Sequence, residues 1–165
     1  MLSSSFIPGG NPLEFVTTAP TRIQLPAVGS LEVYQVNAAA STLTAADSGK
    51  VIYLNSGSAT TGFATTLPAP FLGARYTFVL AREQTGGTGY TVITPGPDII
   101  RGGISSSDVN SATDSAWTAG ADTVTFVVNK AKLGDQIKVE SDGTNWFITG
   151  FVSLFDGITL TAAIT

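Results

Sequence analysis

Twelve carboxylates, eight basic side chains and no histidine or cysteine bound the chemistry open to this 165-residue chain. Without histidine, the usual neutral-pH general base and the commonest metal ligand are missing. Without cysteine there is no thiolate nucleophile, no disulfide framework and no zinc site of the cysteine type. Carboxylate chemistry remains: a pair of acids could hydrolyse a glycosidic bond, and a cluster could hold calcium through several oxygen ligands. The positions argue against both. Asp47, Asp98, Asp135, Asp142 and Asp156 stand beside the ends of strand-like runs, where Asp serves to hydrogen-bond the local backbone. Asp108, Asp114 and Asp122 lie in or beside one polar stretch, but their spacing fits no compact calcium loop. The sequence therefore predicts no catalytic residue, no metal, no cofactor and no enzyme.

Two glycine-rich stretches invite a phosphate-loop reading and fail it. Gly86-Gly87-Thr88-Gly89 lacks the Gly-Lys-Ser/Thr ending and precedes a strand-like run where a phosphate loop needs a helix; Gly102-Gly103 fails likewise. The aromatic residues Trp117 and Trp146, with Tyr34, Tyr53, Tyr76 and Tyr90, could form a sugar-binding platform, although aromatics at alternating strand positions more often make core or cross-strand pairs. Trp117 differs from the rest in standing alone in a polar stretch. It is the candidate for a contact with another molecule.

The surface must be poor in charge, because charged residues make up only 12% of the chain, against about a quarter in an average domain. A net charge of −4 with scattered Lys and Arg speaks against direct nucleic-acid contact, which needs clustered positive charge. The N-terminus has neither a basic flank nor an apolar run of secretory length, and no apolar run approaches membrane-spanning length. A soluble product made in the cytoplasm, with no membrane partner, is expected.

The elements that would position these residues fall into two parts. Residues 1–30 carry Pro8, Pro12, Pro20 and Pro26 with Gly9-Gly10 and Gly29, which is too much proline for a helix or a central strand. An extended arm is predicted. Phe6, Ile7, Leu13, Phe15, Val16, Ile23, Leu25 and Val28 punctuate it, so unlike a low-hydrophobicity disordered tail it needs a surface to lie on. Folding back over its own domain and reaching a neighbouring subunit both remain open.

Residues 31–165 read as a domain of about eight to ten short strands punctuated by Gly, Pro, Asp and Asn, without useful helical periodicity. Candidate strands cover Leu31–Val36, Ser41–Ala45, Lys50–Leu54, Thr60–Leu67, Arg75–Ala81, Tyr90–Thr94, Asp98–Ile104, Asp122–Val128 and Gly157–Thr161. Around Asp142-Gly143, two runs of period-two alternation predict a hairpin: Ile137 and Val139 face one way, Lys138 and Glu140 the other, and Trp146, Ile148 and Val152 share a face beyond the turn. Ser105–Ala121 is expected to be a long loop or one short helical turn. The predicted fold class is all-β: an antiparallel β-sandwich or jelly roll with an extended N-terminal arm, two packed sheets being favoured.

Four segments, in two stretches, also resemble a family. LTAADSGKVIYLN (Leu43 to Asn55), leading through TLPAP (Thr66 to Pro70) to GARYTFVLA (Gly73 to Ala81), and LGDQIKVESDGTNWFITG (Leu133 to Gly150) together resemble a recurrent module of structural proteins of tailed bacteriophages. The resemblance covers roughly residues 43–160 and includes head decoration (cement) proteins, head fibres and tail-fibre modules. It implies a β-sandwich subunit, often a homotrimer, that binds without catalysis. Its motifs describe turns and core positions, so Arg75 and Trp146 are expected to maintain the fold.

The leading expectation is thus a capsid decoration protein on the outer surface of a phage head, with the major capsid protein as partner. It would bridge capsomers through arm residues Phe6, Ile7, Leu13, Phe15, Val16, Ile23 and Leu25. The alternative is a tail- or head-fibre module that binds host surface glycans. An enzyme acting on cell-wall polysaccharide ranks last, since it would need a carboxylate pair in a groove.

Overall fold

The structure, a computed structural model, describes residues 34–97, 99–108 and 115–162. The arm, Asp98 and Asp114 lie outside the described residues, as do the partner-binding assignments made for Phe6 through Leu25. Among the described residues twelve strands follow one another: β1 (Tyr34–Asn37), β2 (Ser41–Thr42), β3 (Val51–Leu54), β4 (Ala64–Thr66), β5 (Leu72–Leu80), β6 (Tyr90–Ile93), β7 (Ile100–Ser106), β8 (Ser115–Ala121), β9 (Thr123–Phe126), β10 (Gln136–Asp142), β11 (Trp146–Val152) and β12 (Ile158–Thr161). They form a seven-stranded sheet in the order β1-β3-β5-β10-β11-β7-β8 and a five-stranded sheet in the order β12-β9-β6-β4-β2.

The all-β expectation holds, but the antiparallel one does not. Strands β1, β3 and β5 are parallel neighbours in the large sheet, and β2, β4 and β6 are parallel neighbours in the small one. From Tyr34 to Ile93 the chain alternates between the sheets, adding one strand to each in turn. A parallel pair cannot be joined by a tight turn and needs a crossover; here the crossover is a strand of the other sheet. The Ala46–Gly49 and Gly86–Gly89 turns, which look like hairpin turns in the sequence, therefore redirect the chain from one sheet to the other.

Antiparallel pairing takes over afterwards. Strand β9 joins the small sheet beside β6 and β12 closes beside β9. In the large sheet the β10–β11 hairpin pairs antiparallel with β5 on one side and parallel with β7 on the other. This hairpin joins the parallel strands of the N-terminal half to β7 and β8. Ser115–Ala121, predicted as loop or helical turn, is strand β8 paired antiparallel with β7; small and polar residues mask its strand character, and the partner strand supplies it.

One apolar cluster draws on both sheets. Ile52 and Leu54 of β3, Tyr76, Phe78 and Leu80 of β5, Ile137 and Val139 of β10, and Trp146 and Ile148 of β11 join Tyr90, Val92, Val124 and Phe126 of the small sheet. The strict burial alternation of β10 follows from a strand whose side chains point alternately to opposite faces, with one face covered and the other wet.

Asp47, Asp135 and Asp142, three of the strand-end acids, act on the local backbone. Asp135, almost fully buried, accepts bonds from the Lys132 amide (2.7 Å), the Ser153 amide (2.8 Å) and Ser153 Oγ (2.7 Å), tying the turn before β10 to the end of β11. Asp142 Oδ1 accepts the Thr144 and Asn145 amides at 2.8 and 2.7 Å, and those two donors hold its carboxyl below the ordinary range. Asp47 accepts from the Thr44 amide and hydroxyl at 2.8 and 2.7 Å and from Lys50 Nζ at 2.8 Å.

Asp47 carries a testable pH dependence. The Lys50 ammonium first, and Thr44 second, hold its carboxyl down at about 2, from an ordinary 3.8. Because the folded-state value is depressed, the stabilisation is complete above the unfolded-state value and disappears as pH falls from about 4 to about 2. Discounted for solvent screening, Asp47→Ala costs about 1 kcal/mol at pH 7, the size of a lost helix cap. Urea unfolding of the two proteins shows that gap at pH 7 and closes it at pH 2.

Candidate binding surface

The segments that share the family resemblance come together in space. Three of them build β3, β5, β10 and β11, which are consecutive strands of the large sheet. The Gly49 amide donates to the Arg75 carbonyl at 2.8 Å, and the Arg75 amide to Ser48 Oγ at 3.2 Å. Tyr76 OH donates to the Thr44 carbonyl at 2.8 Å; burial first, and the Asp47 charge second, push its phenol up to about 12. The Tyr76 ring meets the Trp146 ring at a centroid distance of 5.8 Å. Trp146 is fully buried, in keeping with a fold-maintaining role, whereas Arg75 contributes through its backbone and its side chain is exposed.

The aromatic residues sort into two groups. Trp146, Tyr76 and Tyr90 are core, and a platform made of all six aromatics named from the sequence does not exist. Trp117 is 73% exposed. Around it the outer face of the large sheet carries two aromatics that the sequence reading missed, Phe147 and Phe151, each 46% exposed. Their signal was available: alternation that places Trp146, Ile148 and Val152 inside places Phe147 and Phe151 outside.

Strand register fixes how these residues stand to one another. Thr149 pairs with Gly103, and Gly103 with Trp117, so the three form one row across β11, β7 and β8. Phe147 and Phe151 flank Thr149 along β11, about 13 Å apart at the usual strand rise. Farther along the same face Phe151 pairs with Gln136, Gln136 with Val79, Val79 with Tyr53, and Tyr53 with Val36. Val36 and Tyr53 are exposed as well. Comparison of the chain with protein-family models, with curated proteins and with solved structures gives no match.

Lys138, Glu140 and Arg101 on this face are each tied to a neighbour. Lys138 Nζ lies 2.6 Å from Glu140, holding the Glu140 carboxyl below its ordinary range. Arg101 Nε donates to Asn145 Oδ1 at 2.9 Å, and its Nη1 donates to the Ala119 carbonyl. Elsewhere Lys132 pairs with Glu83 and Lys130 with Asp156. Among the described residues no group of three or more acids converges as a metal site would require. Between these groups the face displays rings, hydroxyls and aliphatic carbon.

Proposed function

We propose that this chain is a bacteriophage head decoration (cement) protein, a homotrimeric binding subunit on the outer surface of the head that bridges capsomers. The observation that carries the reading is the adjacency of β3, β5, β10 and β11: segments separated by up to half the chain, which resemble one phage structural module, are neighbours in one sheet. Their shared residues hold turns and core, which leaves binding to surfaces outside the module's hydrogen-bonded frame. Residues 1–30, with apolar anchors from Phe6 to Leu25, supply the tether. Such an arm adds a strand to an exposed edge or lays its side chains in a groove, and whatever binds only the assembled shell stabilises that shell by mass action.

The test compares the full chain with a variant lacking residues 1–28, each co-sedimented with capsids stripped of the protein. The full chain saturates the capsids, and the deletion lowers occupancy at least tenfold at the same concentration. Equal occupancy refutes the arm as the tether, and failure of the full chain to bind any capsid refutes the decoration reading.

A further inference from the structure

The aromatic part of the outer sheet face has features that a tether to a capsid does not use. Trp117, Phe147 and Phe151 are the exposed rings of β8 and β11, and none of them stacks on another: the ring contacts among the described residues are Phe63 with Tyr90 and Tyr76 with Trp146. Protein interfaces concentrate their aromatic anchors in a packed, desolvated centre. Here the rings stand apart, with Thr149 between the two phenylalanines and Gly103 in the row between Thr149 and Trp117. Gly103 has no side chain, so the row has a gap above β7. At normal strand spacing the backbones of β11 and β8 lie about 10 Å apart across that gap.

Separated rings exposed on one sheet face are stacking platforms for a chain of ring-shaped units, and single-stranded nucleic acid and polysaccharide are the polymers that fit. Charge decides between them. Nucleic-acid platforms of this kind sit in positively charged grooves, whereas this chain carries a net charge of −4, Lys138 is paired with Glu140, and Arg101, hydrogen-bonded to Asn145 and Ala119, is the one cation that β7, β8 and β11 supply. A neutral ligand with apolar ring faces and hydroxyl edges is the complement of apolar rings interleaved with threonine and serine hydroxyls.

From this arrangement we infer that Trp117, Phe147 and Phe151 form a binding site for a neutral polysaccharide, with sugar rings stacked on the aromatics and one unit seated over Gly103. The site is independent of the decoration reading, since it uses neither the arm nor the capsid.

The experiment applies the fluorescently labelled full chain to a printed array of neutral and acidic glycans, then titrates the best soluble neutral oligosaccharide while following indole fluorescence. Wild type binds neutral glycans saturably. Trp117→Ala, at a largely exposed ring, weakens binding at least tenfold with an unchanged unfolding midpoint, Phe151→Ala, at a half-buried ring, weakens it at least tenfold with the domain still folded, and Leu72→Ala, exposed at the start of β5, binds as wild type does. No binding to any neutral glycan overturns the inference. So does binding confined to acidic glycans, equal affinity in Trp117→Ala, or a Trp117→Ala variant whose change is loss of self-association in light scattering, which would assign the face to a second copy. Capsid co-sedimentation of Trp117→Ala stays at the wild-type level, so failure here and failure of the decoration reading are read separately.

Discussion

Trp146→Ala lowers the stability of the domain by about 3–5 kcal/mol, the range for truncating a large buried aromatic. Trp146 opens β11 with its side chain fully buried, and it sits where several supports meet. Its ring lies against Tyr76 of β5, its backbone pairs with Ser141 of β10 and Ile100 of β7, and its amide donates to the Ile99 carbonyl at 2.8 Å. Removing the indole leaves a cavity between the hairpin and β5, where the surrounding β-structure can collapse only partly. Because Tyr76 also anchors the Thr44 turn through its hydroxyl, loosening its ring propagates into the connection between β2 and β3. The loss is a large share of the total, since domains are stable by only about 5–15 kcal/mol.

Trp146→Phe is the informative companion. It keeps much of the ring volume and removes an indole N–H that meets no hydrogen-bond acceptor among the described residues. A smaller volume is lost than with alanine, so the net cost is about 1–2 kcal/mol. Urea unfolding followed by circular dichroism measures both variants. A Trp146→Ala cost below about 1 kcal/mol would show that the hairpin is held chiefly by its backbone ladders, contrary to the packing argument.

How much of this could be read from residues alone depends on the range of the interaction. The β10–β11 hairpin was legible because its causes are local: alternation on both sides of Asp142-Gly143, with the Asp142 carboxylate accepting the amides of the turn. Most strands were placed within a few residues for the same reason. Sheet membership was not legible. The run Lys50–Leu54 looks the same whether its neighbour is antiparallel in a hairpin or parallel after a crossover, and the pairing of Val51 with Thr77 is decided by burying Ile52 and Leu54 against the other sheet. Strand β8 was lost because Ala and Gly are poor strand formers and Ser favours turns; it exists because β7 offers an edge.

The binding surface was half legible for a related reason. Trp117 stood out as a large ring in polar surroundings. Phe147 stood out less: alternation puts it on the face opposite Trp146 and Ile148, but a run in which all three are large and apolar does not say which of the two faces meets water. Only the partner strand does: Phe147 sits opposite Glu140 on one side and Arg101 on the other, a charged row that must face water. Cross-strand pairing thus carries the information that decides which aromatics bind and which pack.

Gly102→Ala is the backbone counterpart of the Trp146 substitution and has a comparable effect, about 3 kcal/mol or more. Gly102 has φ +120°, a conformation that L-residues rarely adopt, and a Cβ built there lies 2.2 Å from the Ile148 carbonyl oxygen of the paired strand. The backbone strain alone costs about 1–3 kcal/mol, and relieving the clash requires β7 to move off β11, at the usual overpacking cost of about 1–3 kcal/mol. Gly49→Ala separates the two causes: its φ is +92°, yet nothing lies within 4 Å of the added carbon, so it carries the conformational cost without the clash and destabilises by about 1–2 kcal/mol. The register of β7 against β8 shifts between Ile100 and Gly102, and it is this shift that sets Gly103 opposite Trp117. Moving β7 therefore displaces β8 and the ring it displays, so Gly102→Ala loses glycan binding under conditions where the domain is still folded, whereas Gly49→Ala keeps it. Equal stability of the two alanine variants in urea would show that β7 accommodates the added carbon without leaving β11.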